Sequence, residues 1–432
     1  MEDGQREILR KPVGLVLALA ALFSVTSSWQ TSRLPQSAGI DFYQFWVVGQ
    51  TLEHEDATRI YEPDERARLG EAWLRAAETR APDTPLHRAA KYRRVLETYS
   101  TPFLYSGFRW LAPDDYFTAY ALFHAVSAVL VAVAVFVFVR AGGGSVPCAC
   151  AAVVAIAMWF APLDSDIRVG NVNRIQLGLL ASVLLLLGRP GPYRDAAAGA
   201  LLGVAVGFKP NLALVALLVG LMRLTRDRRP AALRLGAGLA VGGLASFLVA
   251  AATFGTAACW TSWIDALRSL PPETIPIRFG NYSVAMQLES ATGFAWSVPL
   301  AAAGLGLAAG ALWRARGARA GDDVRAIDLG AVSLGCLVYL LSGRLVWLHY
   351  YVLAVPAVAF ALGTLPRERS NGALRPTRAL LVAVALTLVA LQPLINVFSI
   401  GPHGRLAMLT TGAVLLFGLA LHRLIGLGAS AA

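Results

Sequence analysis

Charge is what this chain has least of. Only 15% of its 432 residues are Asp, Glu, Lys or Arg, against 56% hydrophobic, and its mean hydropathy is +0.57. That excludes an ordinary soluble domain, where about a quarter of the residues are charged. Cysteine is nearly as scarce, with only Cys148, Cys150, Cys259 and Cys336. Cys148 and Cys150 stand too close for an ordinary structural disulfide, so all four read as small core residues. No Cys/His spacing has the form of a metal-ligand set, and there is no internal repeat or low-complexity tail.

Apolar runs fill the space that charge leaves. Stretches of about 20 apolar residues mark spanning helices. They fall at 12–30, 116–140, 146–162, 174–189, 193–208, 210–224, 231–254, 293–313, 326–342, 346–364, 376–396 and 406–426. The expected fold is an all-α polytopic membrane protein with about twelve crossings, within a range of about 10 to 13. It forms a single integral membrane domain over 1–432. The first run is followed by Trp29-Gln-Thr-Ser-Arg33 and not by a small-x-small cleavage site, so it reads as a span. The stretch 193–224 is either a hairpin of short helices or one long span broken at Pro210, a break allowed where backbone lines a protein cavity.

The net charge of +11 would suit a nucleic-acid partner, but its distribution points to a bilayer instead. With the N-terminus placed in the cytoplasm, the cytoplasmic segments carry 20 Lys/Arg against 9 Asp/Glu. The other side holds 18 of each, so the whole excess lies on one face. This is the positive-inside pattern, and it favours the hairpin over the single broken span. The expected location is the plasma (inner) membrane, multi-pass, with both termini cytoplasmic.

Two outer segments are long, 31–115 and 255–292. In the first, Pro63 followed by Asp64 and Glu65 predicts a helix start. Leu69, Trp73 and Ala76 recur at helical spacing, and Glu71 stands four residues before Arg75. A second helix is expected over 85–98. Aromatics crowd both ends of the segment, the composition of helices resting in the membrane interface.

The unusual polar residues gather on the expected outer face. Asp41 follows the first span; Asp164, Asp166, Arg168, Asn171 and Asn173 follow the third. Lys209 lies at the 207–211 turn, and Arg278, Asn281 and Ser283 precede the eighth span. Arg344, Trp347 and His349 lie between the ninth and tenth, and His403 and Arg405 between the last two. Each also has a plain structural reading. Asp41 can cap a helix, Asp164 and Asp166 can be solvated, and Lys209 can snorkel. Arg344 can pair with a loop carboxylate, His349 can be a bonded core histidine, and His403 can be surface. Their shared face favours an enzyme with an extracytoplasmic cavity over a pump, which would put ionisable groups at mid-membrane.

Five landmarks follow one another in order: Asp41-Phe42 with Ile60-Tyr61, Tyr99-Ser-Thr-Pro-Phe-Leu104, Gly170-Asn-Val-Asn173, Gly203 to Lys209-Pro210, and Asn281-Tyr-Ser283 with Trp347-Leu-His-Tyr350. In these the chain resembles glycosyltransferase family 87, membrane enzymes of the C-type glycosyltransferase fold that use polyprenyl-phosphate sugars. The similarity runs from the first span to about residue 360.

The resemblance implies a carboxylate on the first outer loop as general base, at Asp41. An acceptor hydroxyl is a poor nucleophile, and partial proton transfer to a positioned carboxylate helps it attack the anomeric carbon. Lys209, Arg278, Arg344 and His349 are then the groups expected on the donor phosphate, where charge grows as it leaves. Tyr43, Asn171, Asn173, Asn281 and Trp347 are expected to line the substrate site. A single displacement inverts the anomeric centre. The expected partners are a polyprenyl-phosphate sugar donor, mannose favoured, a lipid or glycan acceptor, and the bilayer, with no nucleic acid. No cofactor is required by the sequence; Asp164 and Asp166 leave room for a divalent metal. The rival readings are a flippase for lipid-linked substrates, which needs polar residues along a path between faces, and a non-catalytic assembly subunit of the same fold.

Overall fold

The computed structural model describes residues 39–54, 59–188, 191–226, 229–270, 280–317, 321–363, 376–391, 394 and 398–429. The expected first span, 12–30, and Arg278 lie outside them. The described chain is helical, with two isolated bridges, Phe160–Leu391 and Asn281–Trp347, as its only strand-like pairs.

The helices run in order as α1 Ile40–His54, α2 Pro63–Arg80, α3 Pro85–Tyr92, α4 Pro102–Leu111, α5 Tyr116–Ala141 and α6 Val146–Trp159. Next come α7 Ala161–Val169, α8 Asn173–Leu187, α9 Pro192–Phe208, α10 Ala213–Arg226, α11 Arg229–Thr253 and α12 Ala258–Arg268. The last six are α13 Val284–Thr292, α14 Ser297–Ala315, α15 Gly321–Ser342, α16 Val355–Leu362, α17 Pro376–Ala390 and α18 Pro402–Ala429. Local sequence sets many of the starts. Pro stands in the first turn of α2, α3 and α4, where its missing N–H costs no helical bond. Thr101, Asp115 and Ser283 cap α4, α5 and α13 by accepting from Leu104, Thr118 and Met286 main-chain N–H groups.

Among the described residues, five helices are long and apolar enough to cross a bilayer, or six if α7 and α8, bent by 117°, count as one span. Other expected crossings within the described residues fall on shorter apolar helices such as Val146–Trp159.

The 192–226 stretch is a hairpin. Pro210 opens a 3-10 turn, Pro210–Leu212, after α9. From the far end of α10, Arg223 then donates to Leu187 O, back beside the start of α9, at 2.9 Å. In contrast, α9 and α11 run side by side in the same direction, so close that a Cβ on Gly203 would lie 2.3 Å from Leu239 O. Small residues let backbones approach this closely in membrane bundles. The hairpin puts Lys209 at its tip.

Packing divides into two apolar clusters. One fills the bundle from α5 to α18; the other lies under the 40–111 segment and the start of α5. Phe42 sits at the heart of the second, with ring centroids of Phe108, Tyr116, Tyr120 and Phe123 between 5.0 and 5.8 Å away. Such pairs contribute about 0.5–1.5 kcal/mol each beyond their buried area. They fix the first turn of α1, and with it Asp41.

The expected helix over 85–98 stops at Tyr92. Residues beyond it bond to other segments: Leu96 N–H to Arg66 O at 3.2 Å, Arg66 Nε to Leu96 O at 2.7 Å, and Thr98 Oγ1 to Ile60 O at 2.7 Å. These tertiary bonds outcompete continued helix. Glu71, expected to pair with Arg75, pairs with Arg94 instead.

Candidate active site

Backbone geometry builds the site before any side chain does. Gly170 closes α7 in the left-handed region at φ +69°, and a Cβ there would lie 2.6 Å from Phe42 Cβ. Only glycine meets both demands cheaply. The turn presses the end of α7 against the start of α1, a contact sealed by Gly39 N–H donating to Arg168 O at 3.2 Å. Asn171 and Asn173 therefore face Asp41 and the hairpin tip.

Asp41 lies within the first turn of α1, not before it, and is buried at 8% exposure. Its carboxylate bonds to side chains from other segments. Arg93 donates from Nη2 to Oδ1 at 2.9 Å, and Asn171 from Nδ2 to Oδ2 at 2.7 Å. His349 Nε2 lies 3.8 Å from Oδ2 and, buried, has no hydrogen-bond partner among the described residues.

Asn171 is shared. Its Oδ1 accepts from Lys209 Nζ at 3.1 Å and from Val172 N–H at 2.8 Å. Lys209 also donates to Asn173 Oδ1 at 2.9 Å and rests over the Tyr350 ring, 4.1 Å from its centroid. Burial pulls the Lys209 ammonium down to about 8, opposed by the charges of Asp166 and then Asp41.

Behind these residues lies a fully buried ion pair. Arg174 Nε donates to Asp166 Oδ2 at 2.7 Å, and Asn173 Nδ2 donates both to Asp166 Oδ1 at 2.8 Å and to His349 O at 3.0 Å. Asp166 is 0% and Arg174 1% exposed. A dry ion pair costs desolvation, so it is weak evidence of stability and better evidence of fixed geometry. The solvated-loop reading of Asp166 is thus incorrect. Asp164, half-exposed and 3.2 Å from Arg168, fits it better.

The other expected site residues take varied places. Tyr43 is fully buried, its ring 6.2 Å from that of Tyr116, and its hydroxyl has no partner among the described residues; burial raises its pKa. Asn281 is buried with its amide committed to main chain, donating to Arg344 O at 3.1 Å and accepting from Val346 N–H at 2.9 Å. Trp347 pairs with Asn281 in the isolated bridge. Arg344 is half-exposed and pairs at 3.1 Å with Glu289, a carboxylate on helix α13 and not on a loop as its plain reading had it.

The structure thus joins Asp41, Asn171, Asn173, Lys209 and His349 from four separate segments. It adds Arg93 and Arg174, which the sequence did not single out, and Asp166, which the sequence marked only as an outer polar residue with room for a metal. Arg93 stood unnoticed in Lys91-Tyr92-Arg93-Arg94, which has the charge pattern of a solvated helix face. Among the described residues, no group of three or more His, Cys, Asp or Glu is placed to hold a metal ion. The arrangement offers a carboxylate beside two cations and a histidine, which is the equipment for deprotonating a hydroxyl while neutralising an anionic leaving group.

Comparison with curated proteins and with solved structures returned no match. The sequence model of glycosyltransferase family 87 matches residues 100–342, more than half of the chain, a range that holds Asn171, Asn173 and Lys209 but ends short of His349 and starts after Asp41 and Arg93.

Proposed function

The chain belongs to glycosyltransferase family 87, a membrane glycosyltransferase family, and on that premise we propose that it moves a sugar, mannose favoured, from a polyprenyl-phosphate donor to an extracytoplasmic lipid or glycan acceptor. The observation that carries this reading is the convergence of Asp41, Asn171, Lys209 and His349. One carboxylate and one ammonium are tied to opposite ends of a single amide, with 2.7 Å and 3.1 Å contacts. A base and a phosphate ligand need such a fixed spacing, because the nucleophile attacks one side of the carbon as the leaving group departs from the other.

Asp41 takes the acceptor hydroxyl proton as the oxygen attacks the anomeric carbon. The leaving phosphodiester becomes a monoester and gains a charge. Lys209 meets that charge, with His349 as a neighbouring donor and Arg344 and Arg278 as outer cations. A single displacement inverts the centre. Asn171 and Asn173 hold Asp41 and Lys209 in place, a role their occupied amides suit better than direct substrate contact.

The test is transfer of radiolabelled mannose from polyprenyl-phosphate mannose by the purified protein in lipid. Wild type should form a lipid-extractable or glycan-bound product and Asp41→Asn should not. Transfer by Asp41→Asn near the wild-type rate would end the base assignment. No transfer by wild type from any polyprenyl-phosphate sugar would favour the non-catalytic subunit.

A further inference from the structure

Arg93 is the charged residue in direct contact with Asp41 to which the proposed chemistry gives no task. Its Nη2 touches Asp41 at 2.9 Å, its Nη1 touches Glu97 at 2.8 Å, and its Nε donates to Ile40 O at 3.3 Å. The Arg93 and Asp41 side chains are 12% and 11% exposed, whereas Glu97 is 49% exposed. One carboxylate partner is therefore nearly dry and the other faces water.

The argument from here rests on the donor reading above. A phosphodiester seated on Lys209 stands near the Arg93–Asp41 pair, so two anions compete for one guanidinium. The two cations are not equally free to answer. Lys209 is in hydrogen-bond contact with neutral amide oxygens, so it can meet a phosphate without leaving a carboxylate. Arg93 is shared between two carboxylates. It can release Asp41 and stay in the site, because Glu97, four residues on, still holds it. Its backbone need not move: Arg93 N–H bonds to Ala89 O and Ala90 O at the end of α3. The planar guanidinium fork also suits phosphate.

We propose that Arg93 is an exchangeable counter-ion, resting on Asp41 while the donor site is empty and turning onto the donor phosphate when the lipid-phosphate sugar binds. The exchange frees Asp41 Oδ1 for the acceptor. The acceptor O–H bond then breaks and its proton goes to Asp41 Oδ1. The acceptor oxygen bonds to the anomeric carbon as the bond from that carbon to the phosphate oxygen breaks. The electron pair stays on the phosphate, whose second charge falls to Arg93 and Lys209. The base is thus released only once the donor is seated.

The test is binding of polyprenyl phosphate to the purified full chain in nanodiscs, in wild type, Asp41→Asn, Arg93→Ala and the double variant. Competition for Arg93 predicts that Asp41→Asn tightens binding about tenfold and that Arg93→Ala weakens it about tenfold. It also predicts that the tightening by Asp41→Asn disappears in the Arg93→Ala background. Simple repulsion between Asp41 and phosphate, with Arg93 a fixed clamp, gives the same tightening in both backgrounds and overturns the exchange. Arg93→Lys, which keeps the charge, serves if Arg93→Ala fails to fold; it should retain intermediate affinity, and wild-type affinity would overturn the proposal. Absence of binding by wild type would overturn the donor reading with it, whereas binding indifferent to Arg93 overturns the exchange alone.

Discussion

Basic residues occupy both ends of the helical bundle. At the end where α5 stops, Arg223 lies 3.8 Å from the buried Asp328 carboxylate and Arg234 bonds Asp195 at 2.9 Å. Other bonds there go to main chain: Arg423 donates to Phe360 O and, at 2.7 Å, to Gly142 O, and Arg223 to Leu187 O at 2.9 Å. These are carbonyls at or near the ends of helices, left without helical donors. At the end where α5 starts, about 39 Å away at 1.5 Å per residue, Arg93 and Lys209 meet side-chain carboxylate and amide groups. A carbonyl fixed in a helix end holds its arginine in one place. A carboxylate or amide on a rotatable side chain can change partners, which is what a reaction cycle demands. Arg423 binds two fixed carbonyls and Arg93 two carboxylates, and that difference in partner separates a structural role from a chemical one.

The strongest way to break this contrast is at Asp41. Asp41→Asn should lower transfer by at least about 10²-fold with the melting temperature nearly unchanged; a variant that melted early instead would make Asp41 structural too. Next is Lys209→Ala, which should lower kcat/KM for the donor by about tenfold to a hundredfold, as expected for a lost charge-assisted bond. The charge of Lys209 also carries a pH signature. An ammonium drawn down to about 8 is charged below that pH and neutral above it. Donor kcat/KM should therefore fall as pH rises through that value. Lys209→Arg should remove the alkaline fall, since a guanidinium stays charged; a fall that persists belongs to another group.

At the opposite end the expected effects reverse. Arg423→Ala should destabilise the fold by about 1–3 kcal/mol, the cost of leaving buried carbonyls without donors. Transfer per folded molecule should hold, and a loss of specific activity at equal folded fraction would erase the contrast. The smallest effect belongs to Arg344→Ala. Its pair with Glu289 is half-exposed, worth about 0–1 kcal/mol, so stability should barely move. A two- to threefold rise in donor KM, about what a distant exposed charge supplies, would keep Arg344 as an outer phosphate cation. An unchanged KM would leave it to Glu289.

Much of the helical order was legible in the residues. The run at 116–140 became Tyr116–Ala141, 193–208 became Pro192–Phe208, and 231–254 became Arg229–Thr253. Apolar length is a local property, so a linear reading finds it. The 85–98 helix was too long by several residues because its end is set by bonds from Leu96 and Thr98 to residues about thirty or more positions earlier. The candidate site was half legible. Asp41, Asn171, Asn173, Lys209 and His349 stood out as polar residues at span ends. Arg93 did not, because a basic residue beside other basic residues on a short amphipathic helix looks like solvated surface.

By itself the sequence determined that this is a multi-pass helical membrane protein and that its polar residues sit at helix ends. Burying backbone in lipid allows little else, and apolar length is written residue by residue. Only the tertiary structure decided which polar residues meet. Arg93 reaches Asp41 across 52 positions and Asn171 reaches it across 130. It also decided that Asp166 is sealed against Arg174 instead of solvated. No local pattern encodes such pairings; the left-handed turn at Gly170, the hairpin tip at Lys209 and the early end of α3 bring them within reach.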